Sequence, residues 1–260
     1  MCEENSHGLS VGSIASGVIV FRREDPSEIF TEVKDDGHPT KLVRRQLCVI
    51  GGNWVGEAAK YDRNPLATCR REFKEEISFE RPIRDGVELK LLGMSSKEEK
   101  FAPSPIEMKP REDEVKQLEE LKEVICASCC PFGDYNLVVR KAALDKADPD
   151  NKKPDMSGIF VYFVVSLAEI HWQMLKRLQD KFNNLSCEST TIITSLSDII
   201  AANTKTAFGH DRVLQRFFLA MGLAEAKYLP LQAHHEARFI GTTLPSYEDY
   251  LAKFSVMKKP

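Results

Sequence analysis

The 260-residue sequence has no apolar run long enough to cross a bilayer. The longest run, GIFVYFVVSLA from Gly158, has eleven residues, whereas a membrane-spanning helix needs about 20. The first residues, MCEENSHGLSVGSIASG, also lack the basic start and the apolar core of a secretory signal. The sequence therefore predicts no membrane span, and we expect a cytoplasmic protein.

The seven cysteines lack the even number and regular spacing of a disulfide framework. Cys126 and Cys129 form one CxxC pair, but no second pair or histidine follows at the spacing typical of a structural zinc site. We therefore expect incidental or buried thiols in a reducing compartment.

The charge and composition are those of an ordinary globular protein. A formal net charge of −3 makes nucleic acid an unlikely partner, because binding to a phosphate backbone needs clustered lysine and arginine. The chain length favours one large domain. We expect a tail at 1–10, a domain at 11–228 and a C-terminal extension at 229–260.

Apolar runs alternate with amphipathic segments along the chain. Strands are predicted for SIASGVIVFRR (13–23), KLVRRQLCVIGG (41–52), VELKLLGMSS, YNLVVRKAAL and GIFVYFVVSL, the last covered on both faces. Residues 25–40 have turn chemistry and are predicted as a loop or a long hairpin connection. AEIHWQMLKRLQDKF and GHDRVLQRFFLAMGLA are predicted helices. This order predicts an α/β or α+β sandwich in which helices cover a mixed sheet.

A charged insertion at about 94–131 contains a further predicted helix. Its apolar residues Val115, Leu118, Leu121 and Ile125 recur at helical spacing and form one narrow stripe. A surface helix packed on the body is the favoured interpretation. A lid or a contact in a homodimer is the alternative.

The segment NPLATCRREFKEEISF carries the strongest chemical signal. Asn64 is a good helix cap and Pro65 suits a first helical turn, so the segment predicts a helix over 65–77. Glu72, Glu75 and Glu76 are i, i+3 and i+4 neighbours and share one face. The adjoining face, predicted to pack on the sheet, carries Leu66, Cys69, Phe73 and Ile77.

Three neighbouring carboxylates repel one another unless a positive charge lies among them. Arg71 is one candidate for that charge, and a divalent cation is the other. Mg²⁺ and Mn²⁺ prefer oxygen ligands and accept phosphate oxygens of a substrate. A plain charged helix surface is the alternative interpretation.

This region resembles the Nudix box, G-x5-E-x7-R-E-U-x-E-E-x-G-U, in which U is a bulky apolar residue. The matching residues are Gly51, Glu57, Arg71, Glu72, Phe73, Glu75, Glu76 and Phe79. Two positions depart from the pattern. Thirteen residues, 58–70, separate Glu57 from Arg71 where the family has seven, and Ser78 replaces the closing glycine. We expect Ser78 to carry a modest backbone cost, because a left-handed residue after a helix is easiest for glycine.

The resemblance implies an α/β/α sandwich and a Mg²⁺-dependent pyrophosphohydrolase. Its substrate would be a nucleoside diphosphate linked to another group, such as ADP-ribose or a dinucleotide, and Mn²⁺ is an alternative metal. The implied catalytic residues are Glu57, Arg71, Glu72 and Glu75, with Arg71 orienting carboxylates. The implied metal ligands are Glu72, Glu75, Glu76 and Glu188, and the implied substrate-binding residues are Gly51, Gly52 and Trp54.

Several roles stay open at this point. The general base is either Glu57 or Glu188, a predicted loop residue in the downstream segment CESTTIITSLSDII. Trp54 either stacks on a base or packs in the fold. One alternative function is a catalytically weak or inactive module that binds a nucleotide or RNA. Another is an isomerase of an isoprenoid diphosphate, which needs a catalytic cysteine, and Cys48 lies inside a predicted strand.

Overall fold

A mixed eight-stranded sheet organises the chain. The computed structural model describes residues 13–54, 62, 64–79, 109–152, 155–187, 189–242 and 249. The strands are β1 (Ser13–Arg22), β2 (Glu28–Val33), β3 (Leu47–Cys48), β4 (Ile50–Asn53), β5 (Cys130–Val139), β6 (Met156–Leu167), β7 (Thr190–Ser195) and β8 (His235–Gly241). The helices are α1 (Pro65–Glu76), α2 (Glu112–Ala127), α3 (Lys141–Ala147), α4 (Glu169–Phe182), α5 (Leu196–Ala201) and α6 (His210–Ala220).

The centre of the sheet is a parallel pair. β1 and β6 run side by side from Ser13 opposite Gly158 to Arg22 opposite Leu167. The sheet order is β3-β2-β1-β6-β5-β8, β4 also pairs with β1, β7 pairs with β2, and these other pairings are antiparallel. β6 is buried on both faces, as its uninterrupted apolar sequence predicts.

Helices cover both faces of the sheet. Apolar residues of α1, α2 and α4 pack with Val18, Val161 and Phe163 in one core. Apolar residues of α5 and α6 pack with Ile19, Phe160 and Tyr162 in the other. The predicted α/β/α sandwich with a mixed sheet is therefore confirmed.

The predicted loop at 25–40 is wrong, because it contains β2. Ile29 and Phe30 are buried and pair with β1, and the same strand pairs with β7 on its other side. The acid Glu32 interrupts the apolar pattern in the sequence. It is nevertheless buried, because Lys34 and Ser189 contact its carboxylate.

The predicted strand at 41–52 is only partly right. Lys41–Val43 is a short 3-10 helix, and Arg45 has a left-handed backbone with φ of 58°. The Arg45 N–H donates to the carbonyl of Lys34 at 2.7 Å, which closes a turn before β3 begins.

One later segment also differs from prediction. YNLVVRKAAL is the end of β5 followed by α3. The segment CESTTIITSLSDII contains β7 and most of α5. The predicted strand VELKLLGMSS lies outside the described residues. Helices α4 and α6 are confirmed, and β8 brings part of 229–260 into the sheet beside β5.

Helix α2 forms as predicted and packs on the body. Leu118, Leu121 and Ile125 are buried in the core shared with α1 and α4. The fourth predicted stripe residue, Val115, is 40% exposed, so that assignment is wrong. Its neighbour Glu114 is buried instead and pairs with Lys181 of α4. Among the described helices, none is both long and apolar enough to cross a membrane.

Candidate active site

Helix α1 begins and packs as its sequence predicts. The side-chain Oδ1 of Asn64 accepts a hydrogen bond from the backbone N–H of Ala67 at 2.8 Å, and Pro65 occupies the first helical position. Cys69 and Phe73 are buried against the sheet, and Ile77 follows them just past the last helical residue. This packing fixes which face the acidic residues occupy.

The end of α1 differs from the expectation. Ile77 forms an isolated antiparallel bridge with Ser186, and the Ser78 N–H donates to the carbonyl of Leu185 at 2.9 Å. Ser78 is not among the described residues that have a positive φ. The chain leaves the helix in an extended conformation, so serine in place of glycine carries no left-handed strain, and that expectation is wrong.

Arg71 lies among three carboxylates. Its Nη1 donates to Glu75 Oε2 at 2.7 Å, and its Nη2 lies 2.7 Å from Glu72 Oε1 and 2.8 Å from Asp62 Oδ2. Its Nη2 also donates to the carbonyl of Asn53 at 3.2 Å, which ties the helix to β4. Burial alone would lower the pKa of Arg71, but the hydrogen bonds and charges of these acids raise it above its ordinary value. The guanidinium therefore stays charged and holds the carboxylates close together.

Two of the three carboxylates around Arg71 are buried and the third is exposed. The residues Asp62 and Glu72 are buried, whereas the Glu75 side chain is 57% exposed. Three carboxylates and one guanidinium give a formal charge of about −2 when all are ionised. Such a group attracts a cation, and its exposed side gives that cation a way in.

Sequence reasoning missed Asp62. This residue lies in the loop between Glu57 and α1, where no periodic pattern marks it. Its Oδ2 accepts from Thr68 Oγ1 at 3.1 Å and from Arg71 Nε at 2.9 Å. The sequence carries only a weak signal for it. Asp62 is an acidic residue shortly before the helix that contains Arg71.

The two glycines of the motif have different neighbours. Gly51 has φ of +154°, and a Cβ there would lie 2.2 Å from the carbonyl oxygen of Ser16. A Cβ on Gly52 would lie 2.2 Å from Glu72 Oε2. Gly51 is therefore required by the backbone of the sheet, whereas Gly52 leaves the space that the Glu72 carboxylate occupies.

Glu76 has a different cationic neighbour. Lys34 on β2 pairs with Glu32, whose other oxygen accepts a hydrogen bond from Ser189 Oγ. Burial would lower the pKa of Lys34, but the charges of Glu32 and Glu76 outweigh it and raise that pKa well above its ordinary value. Glu76 itself is buried, and its carbonyl accepts from the Cys187 N–H at 3.0 Å. A compact buried cluster thus lies at the C-terminal end of α1.

The remaining residues predicted for the site are Trp54, Glu57, Glu188 and Cys48. Trp54 is half-buried and packs against the core beside α1, and its backbone N–H donates to the carbonyl of Ile14 at 2.9 Å. Glu57 and Glu188 lie outside the described residues. The Cys48 thiol is buried, and burial raises its pKa well above the ordinary value, so it is a poor nucleophile for the isomerase alternative.

The donor atoms around Arg71 suit Mg²⁺ in their chemistry. All are carboxylate oxygens, which hard divalent cations prefer, and Asp62 Oδ1 is buried without a hydrogen-bond partner among the described residues. Within the described part of the chain, no three histidine, cysteine or acidic side chains are already arranged around one point to hold a metal ion. The acids are instead arranged around Arg71.

Two clefts on the described surface are lined by other segments. One, of about 440 Å³, lies between α4 and β7 and is lined in part by Gln179, Thr191 and Asp198. The other, of about 700 Å³, is lined in part by Lys41, Lys146 and Lys205. Neither is lined by the acids of α1.

Comparison with known proteins gives similarity to solved structures. No family model and no curated protein matches the sequence. Among solved structures, the chain is similar to a NUDIX hydrolase from Alicyclobacillus acidocaldarius, with 12% identity and a TM-score of 0.35. The match covers 85% of this chain and 91% of that one. At this level of similarity we draw no conclusion about activity from it.

Proposed function

We propose that the chain is a Mg²⁺-dependent hydrolase that cleaves a phosphoanhydride bond in a nucleoside diphosphate linked to another group. The observation that supports this most is the grouping of Asp62, Glu72 and Glu75 around Arg71, with Glu72 against Gly52. The resemblance of the same residues to the Nudix box gives the reaction class.

In this proposal the acids of α1 hold the metal. Glu72, Glu75 and Glu76 would be ligands of Mg²⁺ or Mn²⁺, with Glu188 as a further candidate. A bound divalent cation withdraws charge from phosphate oxygens and lowers the pKa of a bound water. Arg71 holds Glu72 and Glu75 in place. Hydrolysis consumes one water and breaks one P–O–P link.

The substrate would lie beside β4 and the start of α1. Gly52 leaves room there for the Glu72 carboxylate, and the half-buried Trp54 follows after Asn53. Glu57 and Glu188 remain the two candidates for the general base. A nucleotide of the ADP-ribose or dinucleotide class is the proposed substrate.

The test is hydrolysis of a panel of nucleoside diphosphate derivatives with Mg²⁺ at mildly alkaline pH. The wild-type protein is compared with Glu72→Gln, Glu75→Gln and Glu76→Gln, which keep side-chain size and remove charge. Glu120→Gln, at an exposed position of α2, is the matched control. We expect metal-dependent release of phosphate-containing products that the first three changes abolish and the control retains.

Two results would contradict the proposal. One is the absence of product from the whole panel, and the other is activity that all three substitutions leave intact. Thermal stabilisation by a nucleotide without turnover would support the alternative, a binding module that has kept the fold without the reaction.

A further inference from the structure

The lengthened loop before α1 supplies a residue that the motif does not contain. The seven positions that the motif places before its arginine correspond here to 64–70, and the extra six residues are then 58–63. Asp62 belongs to these six. Although it is absent from the motif, it contacts the motif arginine directly.

The contacts of Asp62 are confined to one oxygen. Oδ2 accepts from Thr68 Oγ1 at 3.1 Å and from Arg71 Nε at 2.9 Å, and it lies 2.8 Å from Arg71 Nη2. The side chain is 1% exposed, and Oδ1 has no hydrogen-bond partner among the described residues. A buried carboxylate held at 2.8–2.9 Å by a guanidinium is a charge-assisted contact of defined geometry.

This contact fixes the orientation of the guanidinium. Asp62 Oδ2 lies against both Nε and Nη2 of Arg71, and this orientation directs Nη1 to Glu75 while Nη2 also contacts Glu72. Without Asp62, the planar fork is free to turn and pair both of its donors with a single glutamate. The spacing between Glu72 and Glu75 would then no longer be set by Arg71.

We propose that Asp62 is a positioning residue, which acts through Arg71 to hold Glu72 and Glu75 at the spacing at which they share a divalent cation. This inference rests on the proposed function. It makes Asp62 part of the site, whereas a role confined to local stability would leave cation affinity unchanged. The loop is then the feature that distinguishes this chain from the motif it resembles.

The test is Mn²⁺ binding to the full chain, measured from the electron paramagnetic resonance signal of free Mn²⁺. Asp62→Ala is expected to weaken binding roughly 10–100-fold, the usual cost of losing a partner of a metal ligand. Asp62→Asn is expected to recover most of the affinity, because its amide oxygen still accepts from Thr68 and Arg71. Asp113→Ala, which removes an exposed acid from α2, is the control and should bind like wild type.

A second variant keeps the test decisive if Asp62→Ala does not fold. Thr68→Val removes only the hydroxyl that donates to Asp62 in a fully buried position, and it is expected to weaken Mn²⁺ binding by about threefold. Wild-type affinity in Asp62→Ala, or in Thr68→Val where the first variant is unfolded, overturns the inference.

The outcomes also separate this inference from the proposed function. Mn²⁺ binding that depends on Asp62, with no hydrolysis of the panel, supports the positioning role and contradicts the activity. Hydrolysis by the wild type with unchanged Mn²⁺ affinity in Asp62→Ala overturns only the positioning role. A wild-type protein that binds no Mn²⁺ overturns the inference whatever the hydrolysis assay shows.

Discussion

The acidic residues of α1 lie near two cationic side chains, Arg71 and Lys34, whose surroundings differ. Arg71 is on the same helix, and three carboxylates surround it, one of them open to solvent. Lys34 comes from β2 and is enclosed with Glu32, near Glu76, where a serine hydroxyl satisfies a further oxygen. The first arrangement carries excess negative charge at an accessible place. The second is enclosed and has one acid fewer for its cation.

The difference separates two tasks that one helix performs. An enclosed ion pair contributes to stability only while both partners are present, because removing one leaves a buried charge. The group around Arg71 has surplus carboxylates, and its exposed member Glu75 is available to a cation. We therefore expect the loss of Lys34 to affect folding and the loss of Glu72 or Glu75 to affect cation binding.

The largest expected effect is on folding. Lys34→Met removes the ammonium that pairs with the buried Glu32 and should lower the free energy of unfolding by about 3–5 kcal/mol. Urea denaturation measures this free energy. Lys116→Met, in an exposed pair with Glu112 on α2, is the control and should change the free energy of unfolding by less than about 0.5 kcal/mol. Equal effects of the two changes would refute the distinction.

Gly51→Ala is expected to have the next largest effect. Its Cβ would meet the backbone of Ser16 at 2.2 Å, and backbone of a central strand cannot move aside easily. We expect a loss of about 2–3 kcal/mol in the free energy of unfolding. A variant as stable as wild type in urea would show that β1 and β4 adjust more freely than their pairing indicates.

Gly52→Ala should affect the site more than the fold. Its Cβ meets the flexible end of Glu72 instead of backbone, so the carboxylate can be displaced with a stability loss below about 1 kcal/mol. We expect Mn²⁺ affinity and hydrolysis to fall about tenfold, as for other displaced ligands. Unchanged Mn²⁺ affinity would place the cation away from Glu72.

The smallest expected effect is the pH dependence of the stability that Lys34→Met loses relative to wild type. The pKa of Lys34 is raised in the folded protein, so its stabilising contribution is fully present below the ordinary pKa of about 10.4 and is lost as the pH rises above it. The stability gap between wild type and Lys34→Met should narrow above that pH by less than about 1.4 kcal/mol per pH unit. Urea denaturation at pH 9.5 and 11 measures the gap, and a gap that widens would contradict the assignment.

Local signals in the sequence were enough to predict α1. The cap at Asn64, the proline after it and the spacing of Cys69 and Phe73 all lie within the helix they specify. The neighbourhood of Glu72 and Glu75 follows from helical geometry alone. This part of the candidate site needed no knowledge of the fold.

The contacts that depend on distant segments could not be predicted. β2 was missed because Glu32 breaks its apolar pattern, and the residues that compensate that charge include Ser189, far along the chain. Asp62 was missed because its role depends on the path of a loop. Ser78 was expected to be strained because the bridge between Ile77 and Ser186 is not visible in the sequence.

The parallel ladder between β1 and β6 sets the order in which the protein can be completed. Each residue of β1 pairs with a residue of β6 that is synthesised roughly 145 positions later, and α1 is synthesised between the two strands. During translation the acidic helix therefore emerges long before the central surface that supports it is finished. Closing so long a segment is a slow step in folding, and a ribosome-bound chain that stops short of β6 should carry the motif without an assembled carboxylate group.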